Sequence, residues 1–218
     1  MTGGERTASD GLREALTVAD SSARLQAALD AGARPHPSYV AVLVDRCAVE
    51  PDFFVREMLT WALTRHNARP TVERLIFELG SDIPQARSQA LHTLSKIGDP
   101  AAWSGITTEL LQDRDDDVAR AAWRTAAGLV PPDEQAALAG ILATQFGRGG
   151  RDVRRSLSQA FTMVGEPARS VVQGATRHPD VSVRVHAIAT DRIMDDPDES
   201  FDSAVAEARD LVARGLTK

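Results

Sequence analysis

The chain has little of what catalytic and secreted folds are commonly built on. Cys47 is the single cysteine among 218 residues, which excludes a disulfide framework and a cysteine metal cluster. Aromatic residues make up 5% of the chain. No stretch alternates Val, Ile or Thr with polar residues between turn signals, so no strand is expected. No run of about 18 apolar residues offers a membrane span. No basic segment followed by an apolar one marks a targeting peptide. The expectation is a cytoplasmic chain that meets no membrane. The net charge of −6 lacks the cationic excess on which broad nucleic-acid binding draws.

Catalytic signatures are missing too. There is no G-x-S-x-G, and Gly147, Gly149 and Gly150 have neither a preceding strand nor a following G-K-[ST], so neither a nucleophile elbow nor a phosphate loop is read. His36, His66, His92, His178 and His186 show no metal-ligand spacing. Asp113, Asp115, Asp116 and Asp117 lack the glycine and distal glutamate of a calcium loop. On these grounds no cofactor, no metal and no enzymatic activity is expected.

What is present is a repeat. Its clearest copy is ARSQALHTLSKIGDP, residues 86–100. Small or β-branched residues open five such phrases at Val55, Ala86, Val118, Val153 and Val183, in steps of 31, 32, 35 and 30 residues. A period of this size marks a solenoid. Counting each opening residue as offset zero, an arginine follows at +1 in four copies: Arg56, Arg87, Arg154 and Arg184. Apolar residues recur at +4 (Leu59, Ala90, Ala122, Leu157, Ala187) and at +8 (Leu63, Leu94, Ala126, Phe161), where the last copy has Asp191 instead. At about 100° per residue these offsets share one buried sector of a helix. Asp52, Asp82, Asp115, Asp152 and Asp180 precede or open the helices as caps. A proline then stops each one: Pro70, Pro100, Pro132, Pro167 and Pro197. Second apolar segments follow at 70–79, 100–111, 133–146, 167–177 and 198–213.

On D-x-x-V-R at Asp52–Arg56 and Asp180–Arg184, A-R-x-x-A-L at 86–91, and the turns I-G-D-P (97–100) and V-G-E-P (164–167), the chain resembles the HEAT repeat family, in the variant found in phycobilisome-lyase-like repeats. The resemblance covers roughly residues 50–214. It implies an all-α, right-handed α-solenoid of about five helix pairs, with the V-R helices lining a concave face. It also implies that each +1 arginine pairs with an aspartate at the next turn.

Residues 1–9 read as a frayed tail, and 10–218 as a single domain. Residues 10–31 read as a helical cap, broken near Asp20 and ended by Gly32, with Arg13, Glu14, Arg24 and Asp30 on its polar outer face. Residues 38–49 form an apolar helix packing on 52–66. Opposite the buried sector, offset +6 carries Trp61, His92, Arg124 and Gln159, and offset +2 carries Arg120 and Arg155. Tryptophan and arginine are the residues interfaces favour as anchors, and guanidinium forks match carboxylate and phosphate. Trp61, His92, Arg120, Arg124, Arg155 and Gln159 are therefore the predicted partner-binding residues. The reading is a non-catalytic scaffold or adaptor that holds a protein or peptide. The alternative is a HEAT-like DNA-binding protein or alkylpurine DNA glycosylase, against which the net charge counts.

Overall fold

A computed structural model describes residues 3–215, with side chains from residue 8 onward. Among the described residues every regular element is helical. The chain divides into two compact units, Met1–Gly105 and Ile106–Lys218.

The first unit holds α1 (Gly3–Ala15), α2 (Ser21–Ala33), α3 (Tyr39–Cys47), α4 (Phe53–Thr64), α5 (Ala68–Glu78) and α6 (Pro84–Ile97), then a 3-10 turn at Pro100–Gly105. Helices α2, α4 and α6 pack in sequence as one layer, with α3 and α5 packing on them as a second. The second unit holds α7 (Thr108–Leu111), α8 (Asp116–Leu129), α9 (Gln135–Ala143), α10 (Arg151–Val164), α11 (Arg169–Ala175), α12 (Val181–Asp195) and α13 (Phe201–Ala213). Here α8, α10 and α12 pack in sequence, α7, α9 and α11 form the second layer, and α13 covers α12.

The five repeated phrases are the helices α4, α6, α8, α10 and α12, and their +4 residues are buried in every copy. Asp52, Asp115 and Asp180 cap three of them, each carboxylate accepting two backbone amides of the first turn. Asp82 and Asp152 do not cap. Ile83 and Gly150 hold those positions without a side-chain bond. Pro84 opens α6 instead, its fixed φ suited to a first turn that needs no amide there, and Asp152 lies inside the first turn of α10, facing the positive end of the helix dipole.

The +1 arginines pair differently from the expectation. Arg56 Nη1 donates to the carbonyls of Glu50 and Pro51, Arg87 Nη1 to that of Ser81, and Arg184 Nη1 to those of His178 and Pro179. Arg154 reaches the carbonyls of Gly147 and Gly149. Each guanidinium thus folds back over the turn that feeds its own helix. At the turns of Arg56 and Arg184 the aspartates, Asp52 and Asp180, are occupied with backbone amides, which leaves the turn carbonyls for arginine. Sequence and structure together make Asp-x-x-V-R a two-sided clamp on one turn: carboxylate on the amides, guanidinium on the carbonyls.

Three further expectations change. The segment read as a tail is helical from Gly3 in α1, while Met1 and Thr2 lie outside the described residues. Arg24, placed on the outer face, is buried. Gly32 does not end its helix: α2 continues through it to Ala33. A Cβ at Gly32 would stand 2.3 Å from the Trp61 ring and 2.9 Å from the Ala62 Cα, so glycine is there to let α2 and α4 touch. Gly32→Ala is expected to destabilise the protein by about 1–3 kcal/mol through overpacking. Urea denaturation checks this, and an unchanged midpoint would refute the contact.

Candidate functional site

The predicted site residues fall in both units. In the first, Trp61 is 38% exposed, with its ring seated over Gly32. His92 is half-buried, its Nε2 3.2 Å from a Glu57 carboxylate oxygen. Packing therefore occupies part of the tryptophan that spacing marked as an anchor.

In the second unit Arg120, Arg124, Arg155 and Gln159 line one groove of about 570 Å³, together with Ser156, Met163, Ile193, Pro197 and Phe201. The repeat explains the convergence. Positions +2 and +6 of α8 and +2 and +6 of α10 face the same way because the two helices pack in register. Arg120 donates to Ser156 Oγ at 3.1 Å and to Asp117 at 3.3 Å. Arg155 pairs with Asp152 at a longer 3.6 Å. Arg124 is exposed and has no ion-pair or hydrogen-bond partner among the described residues.

The other arginines of 148–155 are engaged elsewhere. Arg148 pairs with Asp116 at 2.8 Å, Arg151 is bidentate to Asp202, and Arg154 holds its own turn. Sequence proximity to Arg155 does not bring them into the groove: Arg154, adjacent to it on α10, diverges by about 100°, Arg148 lies ahead of the helix, and Arg151, one turn before Arg155, is drawn to Asp202.

Offsets +2 and +6 cease to be surface in the last copy. Val185 and Ala189 form a small core with Ala204 and Ala208 of α13. The same closing helix brings Phe201 to the groove wall. Asp191, which breaks the +8 pattern, is partnered by Arg169 at 3.3 Å.

Two buried polar clusters escaped sequence reasoning. One is centred on Glu50, fully buried. Arg24 donates to both its oxygens at 2.9 and 2.8 Å, Arg46 to one of them at 2.8 and 2.6 Å, and the Asp52 amide to the other at 2.9 Å. Burial alone would raise the Glu50 pKa, but the bonds from Arg24, the Asp52 amide and Arg46 outweigh it and bring it to about 2.

The other cluster joins Ser158, His186 and Thr190. Ser158 Oγ lies 3.2 Å from His186 Nε2, a spacing that a nucleophile and its base would also show. The roles run the wrong way. The Gly147 amide donates to Nδ1 at 3.1 Å, so Nε2 carries the proton and donates to the Arg154 carbonyl at 2.9 Å. No lone pair faces Ser158. Burial, chiefly, holds the His186 pKa down at about 4. Cys47 is no nucleophile either, since burial pushes its thiol up to about 12. Among the described residues no group of three or more His, Cys, Asp or Glu could hold a metal ion. No helix among them is long and apolar enough to cross a membrane.

No family model and no curated protein matches the chain. Solved structures do. Human deoxyhypusine hydroxylase in complex with glycerol is similar at 14% identity and a TM-score of 0.46, over 97% of this chain and 98% of that one. The CpcE–CpcF complex of phycocyanin lyase from Nostoc sp. PCC7120 is similar at 16% identity and a TM-score of 0.40, over 92% and 93% of the two chains. The expectation of a non-catalytic scaffold that is not an enzyme is corrected here. These similar chains are named as a hydroxylase and a lyase. Missing short motifs do not by themselves exclude catalysis, because such motifs record residues close in sequence, whereas packed helices bring together side chains a full repeat apart. At these scores and identities neither likeness carries an activity to this chain.

Proposed function

We propose that the groove of the second unit binds a carboxylate- or phosphate-bearing group on a protein or peptide, whose apolar neighbour packs on Met163, Ile193 and Phe201. The chain is read as a HEAT-like repeat protein in which +2 and +6 positions present this surface. The observation that carries the reading is Arg124. It lines the groove with Arg120 and Arg155, yet no acid among the described residues engages it, on a chain with more acids than bases. A guanidinium without a partner beside two others is suited to a two-oxygen acceptor, which it can hold in a fork. The apolar wall supports a ligand that is more than an ion.

Fluorescence anisotropy with a labelled peptide of alternating glutamate and leucine tests this. Saturable binding that weakens with salt is expected, and Arg124→Glu is expected to weaken it at least tenfold, since it replaces an attractive charge by a repulsive one. Absence of saturable binding, or equal binding by the variant, would remove the groove.

A further inference from the structure

Granted that the groove of the second unit holds an oxyanion, the reading on which this inference rests, its lining selects which one. A carboxylate brings one negative charge and two oxygens. A phosphate monoester near pH 7 brings a charge of about −1.5 to −2 and three acceptor oxygens. Charge and donor supply decide between them.

Three guanidiniums, of Arg120, Arg124 and Arg155, line the groove against one carboxylate, that of Glu199. The lining thus carries two positive charges in excess. Glu199 is moreover answered from outside the groove, by Arg192 at 3.1 Å. Two further acids reach the arginines from beyond the lining, and both hold them weakly. Asp117 meets Arg120 at 3.3 Å, but its side chain is 81% exposed, so water screens the pair. Asp152 lies 3.6 Å from Arg155 and has a shorter partner in Arg151 at 3.0 Å. One carboxylate would leave part of this charge unanswered, whereas a dianion matches it.

The donors point the same way. Arg120 spends Nε on Ser156 Oγ and Nη1 on Asp117, which leaves Nη2. Ser156 accepts in that bond, so its own hydroxyl hydrogen remains to donate. Neither Arg124, Arg155 nor the Gln159 amide makes a side-chain hydrogen bond among the described residues. These donors exceed the roughly four acceptor sites of a carboxylate, and a third oxygen takes up more of them. Met163, Ile193 and Phe201 make the rest of the groove apolar, so the anion is one end of a larger group.

We infer that the groove takes a phosphomonoester in preference to a carboxylate: a phosphorylated serine or threonine side chain whose apolar neighbour packs on Met163, Ile193 and Phe201. By the same account a phosphodiester, with one charge and two free oxygens, is disfavoured.

Three labelled peptides test this on the full chain by fluorescence anisotropy. They share flanks of leucine and glycine and differ in the central residue, which is phosphoserine, glutamate or serine. The phosphoserine peptide is expected to bind with a Kd at least tenfold below that of the glutamate peptide, and the serine peptide not to saturate. Arg155→Gln, at an exposed position, is expected to bring the first two within threefold of each other. Inorganic phosphate is expected to compete at least tenfold more weakly than the phosphoserine peptide. Equal binding of the phosphoserine and glutamate peptides would overturn the preference and leave the oxyanion groove intact, whereas saturation by neither would remove both. Phosphate competing as well as the peptide would reduce the groove to an ion site and overturn the peptide assignment. Phosphoserine binding unchanged in both Arg124→Glu and Arg155→Gln would place the peptide elsewhere.

Discussion

Glu50→Ala is expected to cost about 3–5 kcal/mol, the scale on which removing one member of a buried ion pair is felt. The carboxylate is fully enclosed and accepts from Arg24, Arg46 and the Asp52 amide. Its own backbone carbonyl accepts from Arg56 and from Gln85 of α6. One residue therefore ties α2, α3, α4 and α6 together. Without the carboxylate, Arg24 keeps the carbonyls of Val18 and Ala19 but loses its counter-charge where water cannot replace it. Urea unfolding followed by circular dichroism measures the loss. A cost under about 1 kcal/mol would show that the cluster opens to solvent.

The same carboxylate sets an acid limit. Its folded pKa of about 2 lies below the ordinary 4.5, so the unfolded chain binds the proton more readily. The contribution is whole above pH 4.5 and is lost as pH falls from there to about 2.

His186 is expected to produce the second large effect, in a higher window. Its folded pKa of about 4 lies below the ordinary 6.5. Between those values the unfolded chain holds the proton and the folded chain does not. Stability therefore rises with pH across this interval, is complete above pH 6.5, and is lost progressively down to pH 4. At about 1.4 kcal/mol for each pH step of one across that interval, the loss amounts to about 3 kcal/mol. The cause is chiefly burial, which disfavours the charged ring; a proton on Nδ1 would also face the Gly147 amide, which already points a hydrogen at it. Urea midpoints from pH 7 to 4, compared with His186→Gln, isolate this contribution. The variant should lack the slope that the wild type shows between pH 6.5 and 4, and parallel profiles would refute the assignment.

The buried faces were legible for a geometric reason. Apolar residues four and eight apart must lie on one side of a helix, and five copies of that spacing leave little freedom. The +4 positions accordingly are buried throughout, and three of the five aspartates cap where spacing put them. Gly32 was misread because glycine before two prolines has the form of a helix stop. Nothing local shows that an indole ring needs the space of its missing side chain. Arg24 was misread as surface because its partner stands 26 residues away, in a loop whose glutamate belongs to no repeated offset.

The candidate groove divides in the same way. The repeat predicts that Arg120, Arg124, Arg155 and Gln159 share a direction, and they do share a groove. It does not predict that Arg148, Arg151 and Arg154 are consumed elsewhere, or that Phe201 closes the wall.

By itself, the amino-acid order determined the helical repeat, its registers and the face each helix buries, because one helix converts spacing into direction by a fixed rotation. Only the packed structure decided which charges are paired, which histidine nitrogen carries the proton and where space remains. Those depend on side chains from helices tens of residues apart, and no rotation within a single helix specifies what comes to lie against it.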